Sequence, residues 1–322
     1  MKRRSFLKAA SASTLGTLAS TRYWDTVQTA LAEDADRPMP RRLYKDSVKL
    51  SIVGFGGIVV VGQAQAAANR DVARAMDRGV NYYDVAPSYG NGEAEEKLGI
   101  ALKPYRDKAF LACKTQRRDA AGARLELENS LKVLKTDHFD LYQLHAMSKM
   151  EDVDTVLGPG GALETFAKAR EQGKLRYLGF SAHNEEVALR LLDEFSFDSV
   201  LFPINYVCFA QGRFGPRLVK KAKEKHVACL ALKSLAYTRW GKQTQKRAQH
   251  PKCWYQPISD LEQARLAWRF TLSEDVTAAI PPGDERIYRM AETLAAQFKP
   301  LSPFERESLL ASSANLAPVF KS

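Results

Sequence analysis

Short runs of β-branched and aromatic residues recur along the chain at a nearly regular pitch, and no other feature constrains the fold as strongly. Such runs begin near Ile52, Val80, Ala109, Phe139, Arg176, Ser199, Ala228 and Thr277, at intervals of 28, 29, 30, 37, 23, 29 and 49 residues. Antiparallel strands can be joined by a two-residue turn, whereas parallel strands need a crossover long enough for a helix. The pitch therefore predicts alternating strand–helix units and a parallel sheet. The intervening segments carry helical periodicity: Leu127, Leu131 and Leu134 share one face, as do Val187, Leu191, Leu192 and Phe195. Eight such units in roughly 250 residues predict an α/β chain folded as a (β/α)8 TIM barrel. Residues 43–51 alternate around Asp46-Ser47, which predicts an N-terminal β-hairpin closing the barrel's base. Ser302-Pro303-Phe304-Glu305 predicts the start of a short C-terminal helical extension, with Ser as N-cap, Pro at the first position and Glu at the third. A doubly wound sheet would instead open its first helix on GxGxxG. Here Gly54-Phe55-Gly56-Gly57 runs into Ile58-Val59-Val60-Val61, a poor helix start.

Charge divides the 322 residues into two parts. Of the net +11, residues 1–32 hold Lys2, Arg3, Arg4, Lys8 and Arg22 against the single acid Asp25. A charged start, a weakly apolar stretch and the small-residue site Ala30-Leu31-Ala32 form the three-part pattern of an export signal. Arg3-Arg4-Ser5-Phe6-Leu7-Lys8 resembles a twin-arginine signal. The expected organisation is a signal segment over residues 1–32 and a barrel over 33–322. The expected location is exported or periplasmic by way of the twin-arginine translocase, and cytoplasmic if the signal is not used. Arg22-Tyr23-Trp24-Asp25 between the apolar stretch and Ala32 fits cleavage less well than targeting. No apolar run reaches the length of a membrane span, so stable insertion is not expected. Cys113, Cys208, Cys229 and Cys253 lie too far apart for a zinc ribbon, a CxxC redox site or an iron–sulfur cluster, and no metal site is expected.

Barrel chemistry is done at the C-terminal ends of strands and in the loops that follow. There the apolar runs are interrupted by Asp84, Lys114 and His145 on three successive strands, and Tyr89 follows Asp84 in its loop. Each has a plain structural use alone: a loop cap, a solvent-reaching lysine, a core histidine, a packing tyrosine. Together they assemble an acid, an ammonium, an imidazole and a phenol over one end of a barrel.

The segment Asp84-Val85-Ala86-Pro87-Ser88-Tyr89-Gly90, with Gly92-Glu93-Ala94-Glu95 and Leu98-Gly99 after it, resembles the signature of the aldo-keto reductase family. Residues 130–145, ending Phe139-Asp140-Leu141-Tyr142-Gln143-Leu144-His145, resemble the family's second signature, and residues 173–181 its fifth-strand motif. The resemblance implies hydride transfer between a nicotinamide cofactor and a small carbonyl or alcohol substrate. Tyr89 would be the general acid and Lys114, held by Asp84, would lower its pKa. His145 would hydrogen-bond the carbonyl oxygen. Cofactor contacts are implied for Gly57, Ser181, Asn205, Lys233, Gly283 and Arg286. Some family contacts to the nicotinamide are replaced: Ala182 stands for a common Asn, Leu201 for a Gln and Leu232 for a stacking aromatic.

Residues 280–286 follow the eighth strand and open a helix, a place suited to a phosphate. Arg286 and Arg289 favour NADP over NAD narrowly, since the family's fuller basic pattern is missing. Residues 236–257 contain Arg239, Lys242, Lys246, Arg247 and Lys252, no acid, and the aromatics Tyr237, Trp240, Trp254 and Tyr255. The resemblance makes this loop a cover over the cofactor; a solvated basic loop is the alternative. Nucleic-acid binding is not expected, because no nucleic-acid fold accompanies the charge. The competing function is an exported nicotinamide-binding barrel that senses or scaffolds with little turnover.

Overall fold

In the computed structural model, residues 37–242 and 244–322 are described; the export-signal reading falls on residues outside them. Eight parallel strands form the sheet: β3 (Gly54–Gly56), β4 (Tyr82–Asp84), β5 (Phe110–Thr115), β6 (Phe139–Met147), β7 (Leu175–Ala182), β8 (Ser199–Pro203), β9 (Ala228–Leu232) and β10 (Ala278–Ile280). They are paired in chain order from β3 to β10. A parallel bridge between Val53 and Ala279 joins the last strand to the first. The Ala279 amide donates to Ile52 O at 2.9 Å, which closes the ring. The strands begin within two residues of the positions expected from sequence.

The helices cover the outside. They comprise α1 (Gln65–Asp77), α2 (Glu93–Ala101), α3 (Ala120–Val133), α4 (Met150–Leu157), α5 (Ala162–Glu171), α6 (Glu185–Glu194), α7 (Tyr206–Gly212), α8 (Pro216–Glu224), α9 (Thr244–Ala248), α10 (Leu261–Ser273), α11 (Glu285–Ala296) and α12 (Pro303–Ser312). Both faces of each strand are therefore buried, which is why the strands read as continuous apolar runs rather than alternating ones. The expected capping box at Ser302 and Glu305 is present at the start of α12.

The predicted hairpin is β1 (Arg41–Lys45) and β2 (Val48–Ser51), antiparallel, with Asp46 at φ 52° in the turn. It plugs the base. The Tyr44 ring meets Phe110 at 5.0 Å and Tyr177 at 5.2 Å, edge-on, and its hydroxyl donates to Ser199 Oγ at 3.0 Å. Lys45 pairs with Asp198, and Tyr177 donates to Asp46. Above this plug the barrel interior is filled by Tyr82, Phe110, Leu141, Leu201 and Leu230, so only the opposite end is open for chemistry.

Close helix packing fixes the loop that carries Tyr89. A Cβ at Gly99 of α2 would lie 2.6 Å from Val133 O and 2.8 Å from Leu134 Cα. Both are backbone atoms at the end of α3 and cannot swing aside. Gly99→Ala should therefore destabilise the protein by about 1–3 kcal/mol despite alanine's better helix propensity. Urea unfolding would show this as a lower midpoint at unchanged slope; a raised midpoint would mean that α2 and α3 have slack.

Candidate active site

Four side chains from three neighbouring strands meet at the open end. Asp84 ends β4, Lys114 stands next to last in β5, and Tyr89 follows in the β4–α2 loop. The Lys114 side chain is 0% exposed and that of Asp84 3%. Lys114 Nζ pairs with Asp84 Oδ1, donates to Val85 O at 3.0 Å and lies 3.2 Å from the Tyr89 hydroxyl. The His145 ring stands edge-on to the Tyr89 ring at 5.8 Å.

His145 does not simply end its strand. β6 continues to Met147, its pairing to β7 shifts between Leu144 and Met147, and Ala146 takes φ 54°. Such a bulge re-aims a side chain. Two groups hold it: Arg118 Nη2 donates to His145 O at 2.8 Å, and the Ala146 amide donates to Ser181 Oγ at 2.7 Å. Ser181, expected at the nicotinamide amide, thus also fixes the aim of His145.

Electrostatics assigns distinct states to Lys114, Tyr89 and His145. Burial opposes the charge on Lys114, but Asp84 and Tyr89 outweigh it and hold the ammonium charged beyond the usual lysine range. Burial pushes the Tyr89 phenol up, Lys114 pulls it down and Asp84 pushes it up; the net direction is upward. Sequence reasoning expected the ammonium to dominate and the phenol to fall. In the protein alone desolvation wins, because Tyr89 packs into the wall around it. His145 is lowered to about 2, first by burial and then by the positive groups Lys114, His183, Arg118 and Lys233. It is a neutral imidazole at any ordinary pH, and its Nδ1 is buried with no partner among the described residues.

Two residues beside Asp84 were not singled out from sequence. The Tyr82 hydroxyl and Gln143 Nε2 each donate to Asp84 Oδ2 at 3.2 Å. Both precede a tetrad residue by two positions. Strand alternation places such residues on the same face, so the signal was available.

The cofactor candidates divide by place. A cavity of about 110 Å³ is bounded by Gly56, Ile58, Asp84, Tyr89, Lys233 and Gly283 among others. Gly57 and Gly283 are close-approach positions: a Cβ would come within 3.0 Å of Val85 Cγ2 at the first and 2.4 Å of Ile58 Cγ2 at the second. Asn205 caps α7 by accepting from the Cys208 amide at 2.9 Å, and its Nδ2 donates to Lys233 O at 3.3 Å. It therefore shapes the backbone of Lys233, which sits at φ 59°. Arg286 pairs with Asp284 at 3.0 Å and donates to Gln249 O. Arg289 is paired with Asp71 at 2.9 Å.

The basic loop lies across this cavity as a belt, lining it with Lys252, Trp254 and Tyr255. Its far side is tied to the start of α11 and the first loop. His250 Nδ1 lies 3.0 Å from Asp284, Lys252 reaches Glu285 at 3.2 Å and Val59 O at 2.7 Å, and Gln249 O receives Arg286. Among the described residues no helix is long and apolar enough to cross a membrane. The four cysteines are free and buried.

Residues 53–304 match the model of the Aldo/keto reductase family. The chain belongs to this family. Aldo-keto reductase YhdN of Bacillus subtilis is 34% identical over 146 residues, 42% of this chain and 42% of that protein. Methylglyoxal reductase YeaE of Escherichia coli is 32% identical over 149 residues, 44% of this chain and 50% of that protein. The matched stretch thus spans about half, or less, of these relatives. An aldo-keto reductase from Bacillus halodurans in its holo form superposes with a TM-score of 0.67 at 23% identity, covering 88% of this chain and 99% of that one. An aldo/keto reductase from Klebsiella pneumoniae in complex with NADP and acetate gives 0.62 at 22%, covering 85% and 95%. Both likenesses bear on the fold, which this chain shares with the aldo-keto reductase barrels.

Proposed function

We propose that the protein is a nicotinamide-dependent carbonyl reductase with Tyr89 as proton donor. The observation that carries this is the contact of the Tyr89 hydroxyl, 3.2 Å from an ammonium that Asp84 neutralises on its other side. The cavity suits the cofactor: apolar walls from Ile58, Leu201 and Ile280 lead from the phenol to Lys233 and Lys252. When bound, the reduced nicotinamide supplies the hydride. The chain's own residues do the rest. His145, neutral, orients the carbonyl oxygen by hydrogen bonding, and Tyr89 gives that oxygen its proton. Lys114 stabilises the phenolate left behind, and Asp84, with Tyr82 and Gln143 on its second oxygen, keeps Lys114 in place.

NADP is the preferred form, supported by the NADP complex of the Klebsiella relative and by Arg286 at the start of α11. A 2′-phosphate there would compete with Gln249 O for the guanidinium. A sensing or scaffold role without turnover is disfavoured by the assembled tetrad. The N-terminal twin arginines support export, with the cofactor loaded before translocation.

Carbonyl-dependent loss of NADPH absorbance by purified protein tests the reading. Neither His145 nor Tyr89 should put a limb in the pH profile of turnover between about pH 5 and about pH 9, since His145 stays neutral and the raised phenol stays protonated across that range. The limb from Tyr89 should fall on the alkaline side, as the acid is lost. A limb near the ordinary histidine value that persists in Lys233→Met would sink the assignment of His145, and no turnover with any carbonyl would sink the reductase.

A further inference from the structure

Two ammonium groups line the cavity, those of Lys233 and Lys252, and only one is balanced. Lys252 has Glu285 at 3.2 Å, and the neighbouring Lys114 has Asp84. Lys233 Nζ lies 3.1 Å from His183 Nε2, an uncharged partner. The same ammonium stands over the rings of Trp254 at 5.8 Å and Phe320 at 5.5 Å. His183 is stacked on Phe320 at 5.2 Å and 7°, which fixes the imidazole that fixes the lysine. Among the described residues no carboxylate pairs with Lys233.

Its place matters because of what must lie beside it. The carbon that gives up hydride has to reach the carbonyl whose oxygen Tyr89 protonates, so a bound nicotinamide ring would have to lie near Tyr89. Lys233 lines the same cavity as Tyr89. Its charge is felt at His145, and that of Lys114 is felt at Lys233. The oxidised nicotinamide ring carries a positive charge and the reduced ring carries none. An unbalanced ammonium in a partly desolvated site repels the first and is indifferent to the second.

We infer that Lys233 makes the site discriminate between the two redox forms of its cofactor, favouring the reduced one and so biasing the protein toward carbonyl reduction. The inference rests on the reductase reading above and adds a role that differs from a phosphate contact. A phosphate ligand serves a group that both forms share, and its loss weakens both alike. A ring-facing cation acts on the difference between them.

Lys233 is lowered to about 7, first by burial and then by Lys114, with Cys208 acting the other way. The groups facing it are His183 from the loop after β7, His145 from β6, Lys114 from β5, Cys208 from α7 and the rings of Trp254 and Phe320. His183 is lowered to about 3 and stays neutral, so Lys233 is the group that titrates in the working range. Below about pH 7 the ammonium is present and the repulsion is full; above it the proton is shed and the repulsion fades. A further positive charge pushes in the same direction, so the oxidised form should bind with release of a proton.

Dissociation constants for NADP⁺ and NADPH, measured by calorimetry at about pH 6 and about pH 8.5, test this on the full-length protein. For the unaltered protein the preference for NADPH should be about tenfold greater at the lower pH. Lys233→Met should shift the ratio of the two dissociation constants about tenfold toward NADP⁺ at the lower pH and remove its pH dependence. Lys233→Arg should keep the preference at both pH values, because a guanidinium does not titrate there. Equal weakening of both forms by Lys233→Met, or a preference independent of pH in the unaltered protein, overturns the inference. Failure of the unaltered protein to bind either form overturns the reductase reading beneath it.

Discussion

Tyr89→Phe should lower the turnover number by about 10²–10⁴ while leaving cofactor affinity and the fold nearly intact. The phenyl ring keeps the edge contact with His145 and the packing against the surrounding core. Only the hydroxyl is lost. With it goes the proton donor placed beside a charged ammonium, and His145 cannot substitute, since its imidazolium, lowered to about 2, is not populated near neutral pH and a neutral imidazole has no acidic proton to give. Lys114 loses one hydrogen bond but retains Asp84 and Val85 O. The stability change should accordingly stay within about 1.5 kcal/mol. Stopped-flow measurement of a single turnover would separate the chemical step from binding. An unchanged rate would remove Tyr89 from the mechanism and with it the whole arrangement proposed around it.

Lys114→Met should be more damaging, because it removes function and support together. The lysine side chain is fully buried, and its departure leaves the Asp84 carboxylate inside the barrel with Tyr82 and Gln143 as remaining donors. Breaking one side of a buried ion pair costs about 3–5 kcal/mol, since the surviving charge stays desolvated. Chemical denaturation should show that loss, and turnover should disappear with it. The double variant Lys114→Met with Asp84→Asn separates the two effects. Neutralising the orphaned carboxylate should restore much of the stability and none of the activity. Should the double variant be no more stable than the single one, the pair is not what holds this part of the barrel together.

The strands were legible because their spacing and composition agree with burial on both faces. Tyr83, Leu111, Tyr142, Phe180 and Val200 all turn outward under helices, and their apolar character marks the runs without ambiguity. Asp84, Lys114 and His145 were legible for the converse reason: each interrupts such a run at or near the C-terminal end of its strand. What the sequence hid is tertiary. The bulge at Ala146 that aims His145 depends on Arg118 and Ser181, which are remote in the chain. The upward displacement of the Tyr89 phenol comes from enclosure by several segments, and no local pattern reports enclosure. Lys233 was visible as a basic residue ending a strand, but its neighbours His183, Trp254 and Phe320 lie 50, 21 and 87 positions away, and only the folded chain shows that none of them is an anion.

The belt over the cavity bears on time more than on affinity. Its fastenings at Gln249, His250 and Lys252 join one short stretch of chain to the start of α11 and the first loop. A ligand beneath the belt would need these contacts to part before it left, so they bear on its release separately from its own contacts with the cavity. Residence and affinity thereby become separate properties. How long one molecule is retained can then vary apart from how readily the next is captured.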